Sequence, residues 1–134
     1  MHSLKTTVCA FIVLATATQA LACRGYTAEH VLFFDSTPDI QPQPDLIARV
    51  ALSPVHSGFA KAQVWKVEHS SGADIVLGSR YDVRYEVSSC GPHLRSEGSG
   101  LLVANIGVDQ HGHVTLYPYT RIRSGSYIYP PRKH

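Results

Sequence analysis

Tyr81, Val83, Tyr85 and Val87 alternate strictly with Asp82, Arg84, Glu86 and Ser88. A helix would scatter these two sets around its axis, whereas a strand sends successive side chains to opposite faces and keeps one face apolar. The stretch 80–89 therefore predicts a half-buried strand with a wet outer row. That row, Asp82, Arg84 and Glu86, is expected to be a set of solvated charges rather than acid–base machinery.

The remaining segments extend the same reading. "LIARVAL" (46–52) is apolar and partly β-branched, and Ser53-Pro54 is expected to stop it. "AKAQVWKVEH" (60–69) precedes the turn-forming Ser70-Ser71-Gly72-Ala73-Asp74, and "DIVLG" (74–78) reads as a short strand. "LLVANIGV" (101–108) predicts a buried strand, and "VTLYPYTRI" (114–122) a last one with Pro118 at an edge or bulge. Residues 36–45 carry three prolines and predict an extended loop. Upstream of that loop, "AEHVLFF" reads as either a strand or a short helix. Five or more strands at short spacing, with at most one short helix, predict a small all-β barrel or β-sandwich.

Residues 1–22 read as a secretory signal peptide. Lys5 supplies the positive start, Val8 to Ala17 a short apolar run, and Ala20-Leu21-Ala22 a small-residue cleavage site. The run is too short for a bilayer, which needs roughly 20 apolar residues. Cleavage after Ala22 makes Cys23 the first mature residue and leaves Cys90 as the other cysteine. In an oxidising compartment the pair predicts a disulfide, worth roughly 4 kcal/mol in the chain-entropy account for a loop of this size. The alternative is an envelope lipoprotein acylated at Cys23. Either way the protein is expected to be secreted or periplasmic, as one domain over 23–122 followed by a Tyr/Pro/basic tail over 123–134.

Several function classes lose support. The full chain carries a formal charge of +2, with no basic cluster beyond the tail, so no nucleic-acid partner is expected. No G-x-S-x-G, H-E-x-x-H or phosphate-loop motif occurs, so no catalytic residue is assigned and no cofactor is expected. Of the histidines, His111 and His113 stand close enough to share a metal, with Asp109 as the nearest third ligand. The other reading of Asp109-Gln110-His111-Gly112 is a hairpin turn with Gly112 at positive φ. Trp65 and seven tyrosines suit a binding surface. Tyr81 and Tyr85 are expected in the core, Tyr117 and Tyr119 together on one strand face that is either core or surface, and Tyr127 and Tyr129 at the surface.

The chain resembles the netrin-like modules, which include the inhibitory domain of tissue inhibitors of metalloproteinases. The resemblance rests on the mature N-terminal Cys23, the strand "AQVWKVE" (62–68), Cys90-Gly91 after a central strand, and Gly100-Leu101-Leu102-Val103 opening the next. It implies a five-stranded OB-type Greek-key barrel and a Cys23–Cys90 bridge that pins the mature terminus to the barrel. In the inhibitors the first cysteine's amine and carbonyl clasp the zinc of the target enzyme. Here Gly25 stands where those proteins have a second cysteine.

Together these readings predict a monomeric, exported, non-catalytic module that engages a protein partner, inhibition of a hydrolase or metalloprotease being one form of that. Cys23, Arg24, Tyr127 and Tyr129 are the expected contact residues. The alternative is a periplasmic ligand or metal carrier using the His111/His113 turn.

Overall fold

The computed structural model describes residues 30–56, 58–86, 98–122 and 128–131. Nine strands follow in chain order: β1 (His30–Val31), β2 (Phe33–Phe34), β3 (Leu46–His56), β4 (Phe59–Ser70), β5 (Arg80–Arg84), β6 (Gly98–Val108), β7 (Val114–Pro118), β8 (Thr120–Ile122) and β9 (Ile128–Tyr129). No helix occurs among the described residues.

β3 pairs antiparallel with β4 and β6, β4 with β5, and β6 with β7. The ring closes where β5 runs parallel to β7, with Asp82 beside Thr115 and Val83 beside Leu116. The result is a closed five-stranded mixed barrel in the order β3-β4-β5-β7-β6, an OB-type Greek key, and the sandwich alternative does not hold. Closure leaves no free edge around the ring.

The inward row of each strand fills the barrel. Leu46, Ala48, Val50 and Leu52 from β3 meet Ala60, Ala62 and Val64 from β4, Val83 from β5, Leu102 and Ala104 from β6, and Leu116 from β7. Small alanines on three strands suit a narrow interior. Along β4 the inward row changes parity. Between the pairs Arg49↔Lys66 and Val50↔Val64, β4 carries one extra residue, Trp65, and a second extra residue, Glu68, follows near its end. Such bulges sharpen twist and help a short sheet coil shut.

Outside the barrel, one face is covered. Ile47, Leu101 and Val103 point away from the interior yet are buried, because Phe34, Tyr119, Ile40 and Ile128 pack on them. β1, β8 and β9 form a separate three-stranded antiparallel sheet. Arg121 on β8 ties this layer to β2, its Nε donating to the Phe33 carbonyl at 2.8 Å.

Several expectations change. β3 runs through Pro54 to His56 rather than stopping. Beyond Leu52 it has no β6 partner among the described residues, and there a residue without an N–H costs no ladder bond on that side. Residues 74–78 form no strand: 74–76 are irregular and Leu77-Gly78 make a turn. "VTLYPYTRI" divides at Tyr119: Pro118 ends the barrel strand opposite Ala104, and Thr120 starts β8 in the covering sheet. "VLFF" yields two short strands and no helix. Within the tail, Ile128 and Tyr129 pair with Arg121 and Thr120.

Candidate functional site

The opposite outer face, across β4, β5 and β7, is left open and holds a groove of about 300 Å³. Its floor is built by register. Lys61 on β4 lies directly across from Asp82 on β5, and Asp82 lies beside Thr115 on β7. One row further, Phe59 faces Arg84, and the parallel course of β5 and β7 brings Tyr117 alongside. His56 and Val55, from the end of β3, close one side.

Asp82 is the electrostatic centre. Lys61 Nζ donates to its Oδ1, and His113 Nε2 lies 2.6 Å from its Oδ2. The Lys61 hydrogen bond holds the Asp82 carboxyl below the usual carboxylate range; partial burial opposes this and His113 assists it. An ionised carboxylate only accepts hydrogen bonds, so the proton between His113 and Asp82 sits on Nε2 of the ring.

His113 reaches Asp82 because its own loop is stiff. Asp109 Oδ1 accepts the backbone N–H groups of His111 and His113 at 2.8 and 2.9 Å. Gly112 N–H donates to the Asp109 carbonyl at 3.0 Å, and Gly112 adopts φ of 78°, where a side chain would be strained. The hairpin-turn reading of this segment therefore holds. His113 leaves the turn toward Asp82, and among the described residues no group of three metal-ligating side chains converges.

At the other end of the groove the Arg84 guanidinium lies over the Phe59 ring at 5.4 Å. The His56 ring meets the same phenyl at 4.4 Å between centroids, tilted by 48°. Phe59 is thus a shared platform for two polar side chains, one on each neighbouring strand.

Of the residues expected to contact a partner, Tyr129 alone is described. Tyr129 lies on β9 in the covering sheet, outside the groove lining. Cys23, Arg24, Cys90 and Tyr127 lie outside the described residues. Of the other aromatics, Tyr81 and Tyr85 pack against the core, Tyr119 is buried under the covering sheet, Tyr117 lines the groove and Trp65 is exposed. The groove residues Phe59, Lys61, Asp82 and Arg84 were not singled out as a site by sequence. Their one local signal was that each occupies an outward position next to an apolar inward one.

Comparisons with protein-family models, with curated proteins and with solved structures find no match to this chain.

Proposed function

We propose that the protein is an exported, non-catalytic binding module that engages a protein partner through the open face of β4, β5 and β7. The observation that carries this reading is the asymmetry of the barrel's exterior. One outer face is sealed by Phe34, Tyr119 and Ile128, while the other keeps an open groove with an ordered ionic cluster and a cation–aromatic pair. OB-type barrels commonly bind ligands on the second and third barrel strands and the two loops that flank them, which here are β4, β5, the β3–β4 turn and the Asp109–His113 turn. That support is an analogy of fold.

The netrin-like resemblance adds the topology and the pinned Cys23 terminus to the proposal, with inhibition of a hydrolase as one outcome of partner binding. The test is affinity capture of exported proteins on immobilised wild type, on Phe59→Ala and on Tyr129→Ala. Partners retained by wild type and by the Tyr129 variant but lost from the Phe59 variant support the open face. Equal retention by all three sinks it.

A further inference from the structure

We propose that the groove takes an acidic peptide segment of the partner, with a carboxylate of that segment seated on the Arg84 guanidinium. This deepens the binding reading above and rests on it. The Arg84 guanidinium carbon lies over the Phe59 ring, 5.4 Å from its centroid, and a guanidinium carries five N–H donors in a fork that matches a carboxylate. Among the described residues no carboxylate pairs with Arg84. The neighbouring cation Lys61 is already held by Asp82. With Lys61 and Arg84 positive, Asp82 negative and the histidines counted as neutral, the described lining residues carry one net positive charge, and it is centred on Arg84.

The geometry also selects how a segment is read. On the groove floor β4 pairs with β5 from Phe59↔Arg84 to Gln63↔Arg80 and β5 with β7 at Asp82↔Thr115 and Val83↔Leu116, so these described pairs present no free edge for a peptide backbone to extend. Recognition on that floor runs through side chains. Phe59, Val55 and the Tyr117 ring supply apolar walls beside Arg84. The matching occupant is an acidic residue next to an aliphatic or aromatic one, in a volume that holds a few side chains.

Panning a random heptapeptide display library on the purified mature protein tests this, with Arg84→Gln and Arg80→Gln in parallel. Arg80 lies on the same strand outside the groove lining and controls for charge alone. The expected result is enrichment of peptides with an acidic residue beside an apolar one, kept by Arg80→Gln and lost by Arg84→Gln. For a selected peptide, fluorescence polarisation should show about ten-fold weaker binding to Arg84→Gln than to wild type, as expected when a charge-assisted hydrogen bond is removed. Replacing the peptide's Glu by Gln should weaken it similarly, with no further loss on the Arg84 variant. Absence of acidic enrichment, or equal losses from both arginine variants, overturns the inference. If that happens while Phe59→Ala still loses captured partners, the open-face reading stands and only the acidic occupant falls.

Discussion

His113 Nε2 and Asp82 Oδ2 are 2.6 Å apart, although 31 residues separate them in the chain. The contact fastens the β6–β7 turn onto β5, at the parallel seam where the barrel closes. Because the same carboxylate also receives Lys61 from β4, one side chain joins three elements around the groove.

The first prediction concerns acid. The folded-state pKa of Asp82 lies below its ordinary 3.8, chiefly through Lys61. A depressed carboxyl binds fewer protons folded than unfolded, so its stabilisation is fully present above the unfolded value and disappears as pH falls through the folded one. Asp82→Asn should cost about 0.2–1 kcal/mol near neutrality, as for a partly exposed ion pair. Urea denaturation should show the gap between wild type and variant narrowing below about pH 4.

Two glycines should respond differently to alanine. A Cβ at Gly100 would meet Phe33 Cγ at 2.8 Å and Phe33 Cβ at 3.0 Å, and the root of that side chain moves only with its backbone. At Gly107 the clash is with the outer ring edge of Tyr117, at 2.7 Å. Gly100→Ala should therefore cost about 1–3 kcal/mol by denaturation, as overpacking does. Gly107→Ala should cost less and instead displace Tyr117, which partner capture would register as weakened binding.

Asp45 finishes a ladder that β3 starts too late to complete. Its Oδ2 accepts the Ile106 N–H at 2.9 Å, and its carbonyl accepts the Ser71 N–H at 2.7 Å. Asp45→Ala strands the half-buried Ile106 amide and should destabilise by about 1.5–3 kcal/mol. Amide exchange should quicken at Ile106 beyond the global change; uniform quickening at all sites would refute the local role.

The intact mass of the exported protein tests its proposed processing. A chain that starts at Cys23 and is about 2 Da lighter before reduction matches one Cys23–Cys90 bridge. A mass several hundred daltons higher, as acyl chains would give, would make Cys23 a membrane anchor and remove both the bridge and an inhibitory terminus.

Much of the fold was legible because strand pattern is local. The alternation around Val83 correctly marks the inward residue, and the apolar run 101–108 marks β6. Asp109 and Gly112 announce their turn through side-chain and φ chemistry contained within five residues. The groove was not legible for a related reason. The row Asp82, Arg84, Glu86 reads as solvent-facing, and Asp82 does face outward. Period-two patterning says which way a side chain points, but not which remote strand stands beside it.

By itself the sequence determined the all-β class, the β6–β7 turn and the inward face around Val83, since each depends on neighbours within one strand or turn. Tertiary structure alone decided the parallel β5–β7 closure and the burial of Ile47, Leu101 and Val103 beneath the covering sheet. It also decided the meeting of Lys61, Asp82 and His113. Those features depend on long-range pairing, whose gain comes only after the chain between has been ordered and its closure entropy overcome. An outward polar residue becomes part of a site only when that closure brings it partners.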